Sequence, residues 1–248
     1  MTIYDQLLKA KTERGAGYLV LVDPDRWPLE GVDSFVDEIN GSGADAIMVG
    51  STLILGDQTR EKMARIHQRS RIPVIIFPGN LNQLTPHGDA IFYLSIISGR
   101  NPQYLIGDQV SGAPLVQQLG LEPIATAYML VESGNVTTVS YMSGTQPLPR
   151  EKLEIAVAHA LAAEYLGFKV IYLEAGSGAK RTVPPEMVAA IARTVSLPII
   201  VGGGICSPEK AKTLVKAGAS FIVTGNILEK ENGEAGLMAA FAQAIHKA

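Results

Sequence analysis

Short apolar runs alternate with stretches of helical periodicity along the whole chain. Most of the apolar runs are continuous and rich in β-branched residues, which is typical of parallel strands covered on both faces. Repeated alternation of strands and helices predicts a parallel α/β fold. The predicted strands cover residues 17–23, 46–50, 73–78, 90–97, 123–131, 170–174, 199–202 and 221–224, and the predicted helices cover residues 32–42, 58–70, 102–119, 151–166, 185–194, 208–217 and 235–246.

Eight strands in a chain of 248 residues favour closure into one (β/α)8 barrel, or TIM barrel, since such barrels typically run to about 250 residues. An open, doubly wound sheet is the alternative, but eight strands in a single domain of this size favour the barrel. We therefore predict one barrel domain that spans residues 1–248.

The connection between the third and fourth predicted strands breaks this pattern. Residues 79–89 are too few for a helix with two loops, and Pro86 interrupts them. We predict that the third outer helix is missing or reduced, which makes the fold a modified TIM barrel. The segment is either a shortened loop without function, or it opens a trough for a long apolar ligand on the barrel wall. In the second case the fourth strand would supply the wall of the trough.

Three glycine-bearing segments close the sixth, seventh and eighth predicted strands. They are residues 172–178 (Tyr-Leu-Glu-Ala-Gly-Ser-Gly), 201–205 (Val-Gly-Gly-Gly-Ile) and 224–226 (Thr-Gly-Asn). Glycine lets a ligand approach the backbone N–H groups closely, and corners after consecutive barrel strands can converge on one anion. The sequence therefore predicts that a phosphorylated small molecule binds at the top of the barrel.

Candidate metal ligands follow the first two predicted strands. Asp23-Pro24-Asp25 closes the first strand, and Gly50-Ser51-Thr52 closes the second, which is its neighbour in a barrel. Mg²⁺ prefers carboxylate oxygens and keeps waters or substrate phosphate oxygens as further ligands, so one carboxylate and a nearby hydroxyl suffice. Because Asp-Pro-Asp is also common in turns, turn formation alone is the competing interpretation.

Glu174 is the carboxylate at the end of the sixth predicted strand, between Leu173 and Ala175. Burying a carboxylate is costly unless it is paired or used. Glu174 is therefore a candidate general base or hydroxyl-binding group, and a salt-bridged structural glutamate is the alternative. Lys180 and Arg181 follow the glycine turn and either face a phosphate or are solvated charges.

Composition and charge restrict the classes of partner. The formal net charge of −3 provides no electrostatic reason to expect nucleic acid or an anionic membrane. Cys206 is the single cysteine, which excludes an intrachain disulfide, and we interpret it as a small packed residue. We find no signal peptide and no apolar run near the length of about 20 residues that spans a bilayer. We expect a cytoplasmic protein, although a lipid-like substrate could bring it into transient contact with a membrane surface.

These motifs together resemble the geranylgeranylglyceryl phosphate synthase family, which includes the related bacterial heptaprenylglyceryl phosphate synthases. The resemblance rests on Asp23-Pro24-Asp25, Gly50-Ser51-Thr52 and the three glycine segments, and it spans nearly the whole chain. The segment of residues 172–178 is its most specific part.

The resemblance implies a Mg²⁺-dependent prenyltransferase that transfers a prenyl group from an isoprenoid diphosphate to the C3 hydroxyl of sn-glycerol 1-phosphate. It implies that Asp23 and Thr52, with Ser51 adjacent, bind the magnesium ion. Glu174 corresponds to the family glutamate that is placed against the glycerol hydroxyls. Family members have an altered third helix with a lipid groove and form dimers or hexamers, so a homo-oligomer is expected. The positions implied for glycerol phosphate are Tyr172, Leu173, Glu174, Ala175, Gly176, Ser177, Gly178, Gly203, Gly204, Gly225 and Asn226.

Two positions differ from the relatives. Leu21 lies two residues before Asp23, where the bacterial heptaprenyl relatives carry a lysine, and Arg26 stands where many members have a lysine. The longer Asp-Pro-Asp version and the Ala-Gly-Ser-Gly after Glu174 are closer to the archaeal-like branch of the family. That similarity favours geranylgeranyl diphosphate as the donor.

Two other classes of function compete with this interpretation. One is a different phosphate-binding barrel enzyme, such as a sugar-phosphate isomerase or a thiamin-phosphate synthase-like transferase. Such enzymes usually need a second acid/base residue or a pyrimidine pocket, and we find no convincing candidate for either. The other is a non-enzymatic module that binds phosphate or flavin, for which ligand binding would not depend on Mg²⁺.

Overall fold

Eight parallel strands form a closed barrel in the computed structural model, which describes residues 1–225, 227–228 and 236–248. Each strand pairs with the next one in the chain, and β8 returns to pair with β1. The predicted modified TIM barrel is therefore confirmed, and the open sheet is excluded. The strands are β1 (Gly17–Val22), β2 (Ala46–Val49), β3 (Val74–Ile76), β4 (Ala90–Ile96), β5 (Glu122–Leu130), β6 (Val170–Glu174), β7 (Ile199–Gly202) and β8 (Phe221–Thr224).

Helices cover the outside of the barrel. Alternate strand residues point to opposite sides, so the core has two apolar layers: one fills the barrel, and the other lies between the strands and the helices. Most strand residues are buried on both faces of the sheet, which explains the continuous apolar sequences. The helices are α1 (Ile3–Arg14), α2 (Leu29–Ser42), α3 (Thr59–Arg69), α4 (Asp108–Gln118), α5 (Thr138–Ser143), α6 (Leu153–Tyr165), α7 (Pro185–Ala192), α8 (Pro208–Lys216) and α9 (Leu237–His246).

Two of these helices, α1 and α5, have no counterpart among the predicted elements. Helix α1 begins at a capping box formed by Thr2 and Asp5. The Glu122 carboxylate at the start of β5 accepts hydrogen bonds from the first N–H groups of α1, and Leu7 packs into the layer inside the barrel. Helix α1 therefore covers the end of the barrel where the strands begin. Leu7 is the one buried residue of α1. The sequence of the helix therefore lacks the strong apolar stripe from which a helix is predicted.

The third outer helix is reduced to a single 3-10 turn, Leu81–Gln83, between β3 and β4. This confirms the prediction from the short connection of residues 79–89. Helix α4 packs beside this turn: a Cβ on Gly112 would lie 2.8 Å from the Leu81 side chain. The described ranges contain no helix long and apolar enough to cross a membrane.

Candidate active site

A cavity with two parts opens where the barrel strands end. One part, called the polar lobe below, lies above the ends of β1, β2, β6, β7 and β8 and encloses about 1620 Å³. The other part, called the apolar groove below, encloses about 1040 Å³, and both volumes include space open to solvent. The two parts meet, since they share the lining residues Ser51, Thr52, Leu53, Phe77, Tyr128 and Val139.

The apolar groove lies where the third outer helix is reduced. Its floor includes Ile91 and Tyr93 of β4, and its sides are formed by Leu81 of the 3-10 turn and by Gly112 and Val116 of α4. A full helix after β3 would cover this part of the wall. The trough that the short connection suggested is therefore present, with β4 as part of its wall, and its use by an apolar ligand stays a prediction.

Glu174 ends β6 and points into the polar lobe. Its side chain is 6% exposed, and its Oε1 accepts a hydrogen bond of 2.6 Å from the Gly176 backbone N–H. Burial raises the pKa of Glu174 to about 7, although that hydrogen bond and the nearby Tyr172 hydroxyl oppose the rise. No cation in the described part of the chain forms an ion pair with Glu174, which argues against the salt-bridged structural alternative.

Close backbone packing explains the glycines around this carboxylate. Gly203 has φ +82°, and a Cβ on it would lie 2.4 Å from Glu174 Oε1 and 2.7 Å from the Gly176 nitrogen. Gly176 has φ +96°, and a Cβ on it would lie 2.4 Å from the Thr137 methyl group. Both residues therefore need a left-handed conformation and a missing side chain. These contacts bring the ends of β6 and β7 against each other around Glu174.

The structure brings most of the predicted glycerol phosphate positions together. Leu173 and Ala175 are exceptions, because their side chains point outward into the layer between the strands and the helices. Gly176 does not line the lobe, and its N–H is already bound to Glu174. Asn226 lies outside the described residues. The positions that line the polar lobe are Tyr172, Glu174, Ser177, Gly178, Gly203, Gly204 and Gly225.

The predicted metal ligands lie across the lobe from these corners. Asp23 Oδ2 accepts a hydrogen bond of 2.9 Å from the Ser51 hydroxyl, and Thr52 lines both parts of the cavity. The Arg26 Nε lies 3.8 Å from Asp23 Oδ2. Asp25 has a different role, since its carboxylate accepts the backbone N–H groups of the loop after β2. Asp23 takes part in the turn as well, because its Oδ1 accepts the Asp25 N–H at 3.0 Å. Turn formation therefore involves both carboxylates, and Asp23 is the one of the two that lines the polar lobe.

One carboxylate with adjacent hydroxyls fits a magnesium ion that is also bound by substrate oxygens. Within the described residues there is no group of three or more His, Cys, Asp or Glu that could hold a metal ion by itself. An ion at Asp23 would therefore depend on oxygens from a ligand in the cavity, as diphosphate groups supply.

An aromatic stack that the sequence analysis missed lies at the junction of the two parts. Phe77 and Tyr128 stack on Tyr172, at 5.4 Å or less between ring centroids for each pair. The Tyr172 hydroxyl is buried beside the Glu174 carboxylate, whose pKa it lowers. Burial and the nearby charge of Glu174 raise the pKa of both tyrosines. The available signal was that each aromatic residue lies in or directly after a strand that leads to the cavity.

The remaining candidates are two cations and the cysteine, and they differ in whether they line the cavity. Lys180 lines the polar lobe, whereas Arg181 forms an exposed ion pair with Glu132 at 3.1 Å. Cys206, which we expected to be packed, is exposed and also lines the lobe. Its Sγ lies 3.1 Å from the Lys210 Nζ at the start of α8.

The fold and the cavity define a TIM-barrel enzyme class in which a polar lobe with glycine corners meets an apolar groove. The chain belongs to the PcrB family, whose family profile matches residues 8–245. This membership confirms the family resemblance recognised from the sequence motifs.

Relatives named geranylgeranylglyceryl phosphate synthase are similar over most of the chain. The protein from Flavobacterium johnsoniae is 45% identical over 231 residues, which cover 93% of this chain and 95% of that protein. The protein from Thermococcus kodakarensis is 44% identical over 221 residues, which cover 89% of this chain and 87% of that protein. Both names agree with the predicted activity.

Solved structures agree with this assignment. The crystal structure of (S)-3-O-geranylgeranylglyceryl phosphate synthase from Thermoplasma acidophilum, in complex with its substrate sn-glycerol-1-phosphate, has a TM-score of 0.94 at 33% identity and covers 100% of both chains. A thiamine phosphate pyrophosphorylase from Pyrococcus furiosus has a TM-score of 0.61 at 14% identity, covering 94% of this chain and 97% of that one. The second likeness shows the barrel fold alone.

Proposed function

We propose that this chain transfers the geranylgeranyl group of geranylgeranyl diphosphate to the C3 hydroxyl of sn-glycerol 1-phosphate. The products are geranylgeranylglyceryl phosphate, an ether-lipid precursor, and diphosphate. The observation that carries the proposal is the junction between the polar lobe and the apolar groove. A reaction that joins a small phosphorylated alcohol to a long hydrocarbon chain needs two such compartments in contact. The names of the relatives and the substrate in the Thermoplasma acidophilum complex support it.

The glycine corners seat the acceptor in the proposed complex. Ser177, Gly178, Gly204 and Gly225 line the polar lobe, and backbone N–H groups at such glycine corners suit a phosphate. Lys180 at the edge of the lobe adds positive charge. The acceptor hydroxyl then lies toward Glu174.

The donor occupies the other half of the cavity. Its tail lies in the apolar groove, where burial contributes about 0.8 kcal/mol per CH₂ group. A few isoprene units therefore outweigh any single polar contact. Asp23 and Thr52, with Ser51 adjacent, would hold Mg²⁺, which when bound there supplies positive charge that neutralises the leaving diphosphate.

Glu174 connects binding to chemistry. The C3 oxygen of the acceptor forms a bond to C1 of the prenyl chain, while the bond between C1 and the diphosphate oxygen breaks. The proton of the C3 hydroxyl passes to the Glu174 carboxylate, whose pKa of about 7 suits a general base near neutral pH. Phe77 and Tyr128 border the junction, and aromatic rings favour the positive charge that develops on the allylic carbon.

A donor competition tests the proposal. The purified chain is incubated with sn-glycerol 1-phosphate, Mg²⁺ and an equimolar mixture of C15, C20 and C35 prenyl diphosphates, and the products are identified by mass spectrometry. We expect the C20 ether as the main product. A main product of another length would overturn the choice of donor, and no product of any length would overturn prenyl transfer.

Oligomeric state and location remain predictions of the sequence. Exposed tyrosines are candidates for a subunit contact, with packing in the core as the alternative. Tyr141 on α5 is 79% exposed and fits the first role, whereas Tyr104 is partly buried in the groove. Light scattering coupled to size-exclusion chromatography would show the expected dimer or hexamer. A monomer at all concentrations would contradict it. The expected cytoplasmic location is tested by fractionation of cells that produce the protein.

A further inference from the structure

Gln83 makes an unusual set of contacts for a surface turn. It ends the 3-10 turn that replaces the third outer helix, and it is only 4% exposed. Its Nε2 donates a hydrogen bond of 2.7 Å to the Ser51 carbonyl, and its Oε1 accepts the Ser51 N–H at 3.3 Å. The same Oε1 accepts the Gly79 N–H at 3.2 Å. Because only the carbonyl oxygen of an amide can accept two N–H groups, these contacts assign the orientation of the side chain.

Ser51 lies directly after the last backbone hydrogen bonds that pair β2 with its neighbouring strands. Strand β2 ends at Val49, and Gly50 still donates its N–H to the Val22 carbonyl. Among the residues that the structure describes, Gln83 binds both the N–H and the carbonyl of Ser51 in place of a strand. The glutamine side chain therefore takes the place of a neighbouring strand at this residue.

The two loops also touch backbone to backbone. A Cβ on Gly79 would lie 2.3 Å from the Ser51 carbonyl oxygen and 2.6 Å from that of Thr52. A Cβ on Gly50 would lie 1.9 Å from the Phe77 carbonyl oxygen. The segment after β3 is therefore packed directly onto Ser51 and Thr52, with the Gln83 amide as the hydrogen-bonded link.

Ser51 in turn contacts Asp23, so a main chain held by Gln83 also fixes the hydroxyl that binds this carboxylate. Its hydroxyl donates to Asp23 Oδ2 at 2.9 Å, and Thr52 follows on the lining of both cavity parts. The other braces of this region hold different atoms: Asp25 accepts the Leu55 N–H, and the Lys62 Nζ donates to the Pro24 carbonyl at 3.0 Å. In the described part of the chain, Gln83 is the group that hydrogen-bonds the Ser51 main chain.

We propose that Gln83 is a positioning residue for the donor half of the site. Through the Ser51 main chain it holds the Ser51 hydroxyl against Asp23, with Thr52 next to it on the cavity lining, where the diphosphate and its metal ion would bind. The 3-10 turn that replaces the third outer helix thus positions Ser51 in addition to leaving the groove open. The inference rests on the proposed function, because it assumes that this half of the cavity holds the diphosphate.

A Gln83 variant that weakens the binding of one substrate and not of the other distinguishes a positioning role from a general structural role. The acceptor corners lie on the β6, β7 and β8 side of the lobe, and Gln83 does not line that lobe. Loss of the amide should therefore weaken binding of diphosphate and Mg²⁺ and leave binding of glycerol phosphate unchanged. A residue with a structural role alone would alter the binding of both substrates alike, whereas a loss of thermal stability is expected for either role, because Gln83 is buried and makes three hydrogen bonds.

The experiment compares Gln83→Met, which keeps the length of the side chain and removes its hydrogen bonds, with Asn82→Ala. Asn82 lies in the same turn and is exposed, so it is the matched control. Gln83→Met removes all three hydrogen bonds of the amide, and a loss of about one net hydrogen bond in diphosphate binding corresponds to roughly tenfold in an equilibrium constant. We expect the KM for geranylgeranyl diphosphate to rise about tenfold in Gln83→Met, with the KM for sn-glycerol 1-phosphate within about twofold of the wild type. Asn82→Ala should match the wild type in both.

Calorimetric titration with inorganic diphosphate and Mg²⁺ gives a readout that does not need turnover. We expect the same loss of about tenfold there. If Gln83→Met does not fold, Gln83→Asn, which keeps the amide on a shorter side chain, should show the same split with a smaller effect. Equal changes for both substrates, or normal diphosphate binding by the variants, would overturn the positioning role. A wild-type protein that binds diphosphate yet forms no ether would instead overturn the proposed function.

Discussion

The carboxylate of Glu174 is held by the backbone N–H of Gly176, two residues further along the chain, at 2.6 Å from Oε1. The turn that follows β6 thus orients a buried carboxylate toward the polar lobe. Gly203, directly after β7, packs on the same carboxylate. One buried acid therefore lies where two of the predicted phosphate corners meet.

Replacing this acid should separate chemistry from binding. Glu174→Gln keeps the shape and the acceptor oxygen for Gly176 but removes the proton acceptor. We expect kcat to fall by about 10²- to 10⁴-fold, the usual contribution of a general base, with little change in the KM for glycerol phosphate. Steady-state kinetics with mass-spectrometric detection of the ether measures both constants.

The matched control is Glu132→Gln, which removes an exposed carboxylate that pairs with Arg181. That variant should keep the wild-type kcat. Unchanged turnover in Glu174→Gln would remove Glu174 from the mechanism.

The rate should follow the ionisation of Glu174. Burial raises its pKa to about 7, and a general base works only in its charged form. Below that pKa, kcat/KM should therefore rise about tenfold per pH unit and level off above it. The profile is measured at saturating Mg²⁺ with buffers of constant ionic strength.

The residual activity of Glu174→Gln should lack this rise, because its amide does not titrate. A wild-type profile that stays level from about pH 5.5 to 8 would show that another group takes the proton or that none is needed.

Activity should depend on a divalent ion bound near Asp23. An excess of chelator should abolish turnover, and added Mg²⁺ should restore it. Asp23→Asn replaces a charged oxygen ligand by a weaker neutral one, so we expect the Mg²⁺ concentration for half-maximal rate to rise at least about tenfold. Initial rates across a Mg²⁺ titration measure this.

Asp57→Asn is the control, since Asp57 is an exposed carboxylate in the loop after β2. Its Mg²⁺ dependence should equal that of the wild type. Full turnover of the wild type in chelator would show that the transfer does not need the ion.

Gly203 should be intolerant of a side chain for a reason specific to the site. Its φ is +82°, and a Cβ would lie 2.4 Å from Glu174 Oε1. Gly203→Ala should therefore displace the carboxylate or the adjoining turn, and we expect kcat/KM for the acceptor to fall more than about tenfold. Calorimetry with sn-glycerol 1-phosphate and steady-state kinetics test binding and turnover separately.

Gly120→Ala controls for the backbone alone. Gly120 has φ +69°, and a Cβ on it would meet no neighbouring atom within 4 Å. This change should therefore cost about 1–2 kcal/mol of stability and leave the kinetics unaltered. Wild-type kinetics in Gly203→Ala would contradict the close packing at the site.

Local patterns were enough to predict most of the architecture. The apolar runs of the eight strands are continuous because both faces are covered, and this is visible without a structure. The short segment of residues 79–89 cannot hold a helix whatever surrounds it, so the reduced third helix was also predictable. Helix α5 was missed because its six residues contain one buried residue, Ser143, and so lack an apolar stripe.

The sequence by itself therefore determined the order of the eight strands, the closed barrel, the glycine corners and the candidates Asp23, Thr52 and Glu174. Those features depend on residue types and on spacing along the chain. Only the tertiary structure decided that Leu173 faces outward, that Asp25 braces a loop, and which groups surround Glu174. The Gln83 contact with Ser51 joins residues 32 positions apart, and the aromatic stack joins three strands. Such contacts arise when strand closure brings distant segments together, and no local pattern encodes them.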